Sequence, residues 1–278
     1  MKKIFSTMVI CMIATISFGQ QLRTPAPSPA QTIKQDFGLG SVEVNYSRPS
    51  MKGRKVFGDL VPFGKVWRTG ANNATTITFT DEVNIGGTKV PAGKYGLLTI
   101  PNQSNWTVIL TKQLDVTSPA AYKQESDVLR VTAKPTQLSG PGFETFSMQF
   151  HNIKPSSVDL TMVWDNTLVT LPISTDVETK VLSQINNLMN KDNRPYFQSA
   201  MYYLETGKDL NQALQWLDKG IEQNPKAFWM YHQKANALAK QGKNAEARAV
   251  AQKSIELARE AKNDDYVALN EKLIATLK

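Results

Sequence analysis

The chain has 278 residues, with 32 basic and 24 acidic side chains, a formal charge of +8, 41% hydrophobic residues and a single cysteine. That length accommodates one large or two ordinary domains with buried cores, and a content of 20% charged and 9% aromatic residues excludes a disordered polyelectrolyte. The positive balance invites a nucleic-acid or membrane-surface reading, which depends on where the charge sits.

In chain order, Lys2 and Lys3 precede an uncharged, largely apolar run from Ile4 to Phe18, and Ser17 and Gly19 supply small residues before Gln20. A basic start, an apolar middle and a small-x-small exit predict a signal peptide over residues 1–19, too short to serve as a transmembrane helix. Residues 20–29 form a Pro-rich lead segment ending in Ala26-Pro27-Ser28-Pro29. Cys11 lies inside the leader, so the mature chain is expected to have no cysteine. That excludes disulfides, a thiol nucleophile, thiolate zinc and iron–sulfur ligation. The two histidines, His151 and His232, lie outside any H-E-x-x-H motif, and no G-x-S-x-G elbow is present. No metal and no cofactor is expected.

Residues 30–175 read as short strands separated by turns. Ser41–Tyr46 alternates apolar and polar positions, and Val83–Ile85 and Lys89–Val90 flank Gly86-Gly87, a hairpin signal. Trp106–Leu110, Phe143–Phe150 and Val158–Trp164 are further strands, with prolines falling between the runs. From Asp176 the period becomes helical. Ala200, Tyr203 and Gly207 recur 35 residues later as Ala235, Leu238 and Gly242, and Ala213, Leu217 and Gly220 recur 34 residues later as Ala247, Ala251 and Ser254. This spacing resembles the tetratricopeptide repeat, although Pro225 corresponds to Arg259 and only two units are present. Helices near Asp176–Asn190 and Asp264–Leu277 are expected to cap them. The predicted class is α+β with two segregated domains: an antiparallel β-sandwich or barrel over 30–175, then an α-helical hairpin repeat domain over 176–278.

Residues 46–75 run Y-S-R-P-S-M-K-G-R-K-V-F-G-D-L-V-P-F-G-K-V-W-R-T-G-A-N-N-A-T, and Pro91-Ala-Gly-Lys-Tyr95 and Trp106 follow. With Ser28-Pro29 and the run Trp67-Arg68-Thr69-Gly70-Ala71-Asn72, the chain from Pro25 to Ile173 resembles the bacterial family catalogued as domain of unknown function 2911. The resemblance implies an exported β-rich domain, sometimes followed by helical repeats. It implies no activity and no catalytic residues.

Between Asn45 and Asn72 the chain carries six basic residues (Arg48, Lys52, Arg54, Lys55, Lys65 and Arg68) against Asp59, a net +5. From Asp176 onward, 15 basic face 13 acidic residues, a net of only +2. The basic character is therefore one patch rather than a global attraction to polyanions, and no nucleic-acid partner is expected. Arg48, Arg54 and Arg68, with Asn72 as a polar partner, are candidate ligand-binding residues for an anion, because guanidinium forks suit carboxylates and phosphates. The competing reading has these arginines capping carbonyls or pairing with Asp36, Glu43 and Asp81.

Gly58 to Gly64-Lys65 and Gly87 to Gly93-Lys94 each miss the phosphate-loop spacing by one residue, so neither is a nucleotide site. Glu125 with Asp127, or Asp159 with Asp165, are the carboxylate pairs open to glycoside hydrolysis. Trp67, Trp106 and Trp164 are either a sugar-stacking platform or core. The aromatics of the helical half, among them Tyr196, Tyr203, Trp216 and Phe228, either line a groove or pack helices.

The expected function is an exported, non-catalytic binding or scaffolding protein. Its β domain would recognise a polar or anionic envelope component, either a small ligand or a glycan, and its repeats would contact a protein partner. The alternative is a cell-envelope hydrolase of glycan or ester using carboxylates. The leader makes a direct prediction: amino-terminal sequencing of the protein recovered from the periplasm or medium should begin at Gln20, and a start at Met1 would refute the leader.

Overall fold

The computed structural model describes residues 24–191 and 194–278, so the expected signal peptide, its cleavage site and Cys11 lie outside the described residues. The chain divides into two compact units, Met1–Thr175 and Asp176–Lys278.

In chain order the described strands of the first unit are β1 (Ala30–Phe37), β2 (Gly40–Ser47), β3 (Thr76–Phe79), β4 (Val83–Ile85), β5 (Thr88–Val90), β6 (Gly93–Ile100), β7 (Trp106–Thr111), β8 (Asp127–Ala133), β9 (Thr136–Gln137), β10 (Phe143–Lys154), β11 (Ser157–Asp165) and β12 (Thr167–Ser174). One sheet has the order β1-β2-β3-β6-β7-β8 and the other β10-β11-β12-β4-β5, with β9 joined to β12. Every pairing is antiparallel.

Alternation sets the faces. On β2, Val42, Val44 and Tyr46 are buried while Glu43 and Asn45 point outward. The β4–β5 hairpin turns at Gly86 and Gly87, both at positive φ (59° and 86°), the geometry of a tight two-residue hairpin turn. Ile77, Leu97, Val108 and Leu110 of one sheet and Met148, Leu160, Met162, Val169 and Leu171 of the other fall in one continuous buried cluster. Two sheets packed over a shared core make a sandwich. Among the described residues no ladder closes it into a barrel.

Tyr46 ties the layers further. Its hydroxyl accepts from the Met148 N–H (2.8 Å) and donates to Gln31 Oε1 (2.7 Å). Burial pushes this phenol above its ordinary pKa, against the smaller opposing effect of the Met148 amide. Leu98 and Ile109 face away from the shared core and are covered by Val116 and Tyr122 of the β7–β8 connection. The central strands of this sheet are therefore buried on both sides.

The second unit holds α1 (Val177–Met189), α2 (Tyr196–Glu205), α3 (Leu210–Gln223), α4 (Phe228–Lys240), α5 (Asn244–Glu260) and α6 (Asp264–Thr276). Asp176, Asp209 and Asn263 cap α1, α3 and α6 by accepting backbone N–H bonds. Gly207 and Gly242, at φ of 68° and 74°, occupy equivalent turns after α2 and α4, where a left-handed residue ends a helix. Ala200, Ala213, Ala235, Ala247 and Ala251 are fully buried, so consecutive helices cross closely at small side chains.

Between α4, α5 and α6 lies a polar chain. His232 is only 8% exposed. Its Nδ1 lies 2.9 Å from Asn270 Oδ1, and Asn236 Nδ2 lies 3.0 Å from its Nε2. Both ring nitrogens are thus engaged by side-chain amides. Asn270 Nδ2 donates to Ser254 Oγ (2.9 Å) and to the Tyr266 carbonyl (2.7 Å), and Ser254 Oγ donates to the Phe228 carbonyl (2.7 Å). A buried network of this kind tolerates no missing member. Asn270→Leu should therefore cost about 1–3 kcal/mol and lower the melting midpoint by at least about 4 °C. Leu269→Ala, on the exposed face of the same helix, should stay within about 0.5 kcal/mol. Equal midpoints for the two variants in calorimetry would refute the network's role.

Candidate functional site

The Arg-rich segment after β2 leaves its own sheet and runs along the edge of the other. Phe146 N–H donates to the Pro49 carbonyl (2.9 Å) and Met51 N–H to the Glu144 carbonyl (2.8 Å), with Ser50 paired opposite Thr145. The start of the free edge of β10 is thereby covered. The chain then returns to the first sheet, where Trp67 and Thr99 exchange two backbone hydrogen bonds of 2.7 and 3.0 Å.

A segment this irregular exposes carbonyls, and the guanidinium groups satisfy them. Arg48 Nε donates to the Phe146 carbonyl (3.1 Å) and its Nη2 to Ser147 Oγ (2.6 Å). Arg54 reaches the carbonyls of Met51 (2.9 Å) and Ser50 (2.8 Å). Arg68 Nη1 donates to the Asn72 carbonyl (3.1 Å), and Asn72 Nδ2 donates to the Ser28 carbonyl (3.0 Å). The three arginines do not share one pocket. Arg48 lines a hollow of about 300 Å³ beside Gln31 and Gln35, whereas Arg68 and Lys65 line another of about 210 Å³ against Thr117–Pro119.

Beneath the strap lies an aromatic cluster. Trp67 stacks on Trp164 at 5.9 Å and meets Phe146 at 5.1 Å and Trp106 at 6.4 Å, and Phe57 meets Trp106 edge-on at 4.9 Å. Trp106 and Trp164 are each 2% exposed. Trp106 and Trp164 are core, and the half-buried Trp67 packs against them rather than forming an open stacking face. The indole N–H of Trp67 donates to the Gly70 carbonyl and that of Trp164 to the Glu144 carbonyl.

Trp106 also forms part of a hollow of about 380 Å³ at this end of the sandwich. The strap contributes Lys55, Phe57 and Phe63, and the β6–β7 turn contributes Asn102 and Gln103. Gln137 of β9 and Asp165 and Thr167 of the β11–β12 turn complete the wall. Asp165 sits at φ 52°, an uncommon backbone for a non-glycine residue, and such outliers concentrate at functional turns. One cation and one carboxylate offset each other, and three amides and a hydroxyl can both donate and accept. The lining suits a polar ligand with apolar faces better than a polyanion.

Of these residues, Trp106 and Asp165 had sequence signals, and Lys55 was visible only as part of the basic patch. Asn102, Gln103 and Gln137 had none, because a polar turn between strands reads as an ordinary connection.

The paired carboxylates do not face one another across this hollow. Asp159 and Asp165 lie at opposite ends of β11, about 20 Å apart at a strand's rise, against the ~5–9.5 Å that glycoside hydrolysis requires. Asp159 accepts from Asn152 Nδ2 (2.8 Å). Asp127, whose side chain is 7% exposed, pairs with Arg130 at 2.9 Å and accepts from Tyr122 Oη at 2.5 Å. Among the described residues no group of three His, Cys, Asp or Glu side chains is placed to hold a metal ion. No described helix is long and apolar enough to cross a membrane.

In the helical unit, Tyr203 packs edge-on against Trp216 at 4.8 Å, and Phe228 packs against Trp229 and Tyr266 at 5.0 Å each. Tyr196 and Trp216 also border an open hollow of about 420 Å³ with Asp218 and Lys219.

A family model described as a protein of unknown function (DUF2911) matches residues 28–173. No curated protein and no solved structure matches the chain.

The Tyr122–Asp127–Arg130 group yields a pH prediction. Burial, followed by the hydrogen bond and charge of Asp127, pushes the Tyr122 phenol up to about 12, against the opposing effect of Arg130. Because the folded pKa is raised, this contribution to stability is complete below the ordinary value near 10 and is lost as pH rises through about 12. Ultraviolet titration should show a group of late-ionising tyrosines, Tyr46, Tyr95 and Tyr202 among them, that loses one member in Tyr122→Phe and has one member shifted to lower pH in Asp127→Asn. A titration curve unchanged in both variants would refute the assignment.

Proposed function

The chain belongs to the DUF2911 family of proteins of unknown function, and from that premise we propose that it is an exported binding protein whose β unit takes a polar, hydroxyl-rich ligand of the glycan type. One observation carries the reading: aromatic rings and uncharged amides converge on a single hollow at the end of the sandwich. Amides serve hydroxyl groups in both directions, and ring faces suit the apolar faces of a sugar. The anionic version has less support, because Arg48, Arg54 and Arg68 are each engaged with carbonyls in separate places. Export is supported by the leader pattern. A carboxylate hydrolase has less support still, since Asp165 is the one carboxylate of that lining.

The helical unit, on the same reading, holds a protein partner. The equivalent glycines at Gly207 and Gly242 and the matching buried alanines support a tetratricopeptide-like arrangement of α2–α3 and α4–α5. The hollow beside Tyr196 and Trp216 is its candidate contact surface.

Isothermal titration with soluble neutral oligosaccharides of glucose, N-acetylglucosamine and mannose tests the first claim. Asn102→Ala and Gln137→Ala should each weaken binding about tenfold, the value of one hydrogen bond of ~1–1.5 kcal/mol. Arg68→Ala should leave it unchanged. If Arg68→Ala abolishes binding, or if inorganic phosphate or citrate competes for the site, the anionic reading replaces this one.

A further inference from the structure

The glycan-type hollow has a neighbour across Phe63. A second hollow of about 420 Å³ is lined by Phe63, Asn102, Gln103, Ser104 and Asn105, and the first three of these residues also line the first. The two spaces therefore meet at a common wall. The geometry points to an extended site with two subsites, reading a linear neutral oligosaccharide of two or more units rather than a single sugar. This inference rests on the reading of the first hollow given above.

The common wall is held by the backbone. Gly58, at φ 90°, lies under the Phe63 ring, and a Cβ there would stand 2.8 Å from Phe63 Cε2. Only glycine lets the ring settle on the chain at that point. The turn is closed by the Gly58 N–H to the Val61 carbonyl (2.9 Å), and Gly64 N–H donates to the Pro101 carbonyl (2.9 Å). That last bond ties the Phe63 loop to the turn bearing Asn102–Asn105.

The subsites differ in chemistry. The first has one cation, Lys55, and one carboxylate, Asp165, beside its amides. The second has only amides, a hydroxyl and an aromatic ring, with no ionisable side chain in its lining. A chain ligand would set one unit against Phe57 and Gln137 and lay the next across Phe63 towards Asn105.

Titration calorimetry with mono-, di-, tri- and tetrasaccharides of the three neutral series tests this. Affinity in one series should rise tenfold or more between one and two or three units and then level off. Asn105→Ala and Phe63→Ala should remove most of that rise, Asn105→Ala leaving monosaccharide affinity unchanged. Gln137→Ala, in the first hollow alone, should weaken monosaccharide and oligosaccharide alike. Affinity independent of length, with the monosaccharide bound, overturns the extended site while leaving the first hollow standing. No binding in any of the three series overturns both. Thermal melting confirms that each variant is folded before it is read.

Discussion

The β unit depends on one contact: the half-buried Trp67 engages both sheets. Its backbone is bonded to Thr99 of one sheet, and its ring stacks on Trp164 and meets Phe146 of the other. Held by both layers, it fixes how far apart they lie and forces residues 48–74 to arch over the end of the sandwich. The arch carries strain. Thr69 is a fully buried, β-branched residue at φ 55°, an arrangement that costs on the order of 1–3 kcal/mol. Its hydroxyl and carbonyl are bound by Thr99 and Thr75. Gly70 passes so close to Ser47 that a Cβ would stand 2.9 Å from its carbonyl oxygen. Burial of the large aromatic side chains beneath, at ~1.5–3 kcal/mol each, offsets that strain.

The same arch explains the concentration of positive charge. A covalent path that leaves one sheet, borders another and returns has few regular ladders to satisfy its carbonyls. Guanidinium groups, with several fixed donors each, do so at long reach. Arg48, Arg54 and Arg68 are spread along this path because the unsatisfied carbonyls are. The patch is a consequence of irregular backbone over an aromatic core. The hollow beside it comes from the arch standing clear of the β6–β7 and β11–β12 turns.

The helical unit solves a different problem. Its helices approach closely because alanines and a glycine occupy the crossings, which leaves little large apolar surface to bury. The polar chain from Asn236 through His232 and Asn270 to Ser254 and Phe228 runs between α4, α5 and α6. Its directional bonds set the rotation of those helices about their axes, which small side chains leave loosely determined.

How much of this was legible beforehand varied with the range of the interaction involved. Period-two alternation at Ser41–Tyr46, the Gly86-Gly87 turn and the change to helical spacing at Asp176 are local signals, and they determined the α+β class and its order along the chain. So did the long motif through Trp67–Asn72, which marks the family. The short β3, the edge strand β1 and the doubly buried β6 carry weak or ambiguous periodicity and emerged only once their partners were in place. The candidate site is further from view. Lys55, Asn102, Gln137 and Asp165 come from four separate connections, and nothing along the chain records that those connections meet. Sequence composition located a basic patch. Only the tertiary structure showed its arginines turned to carbonyls in separate places and drew amides and aromatic rings together beside it, because which side chains share a space is decided by how the two sheets pack.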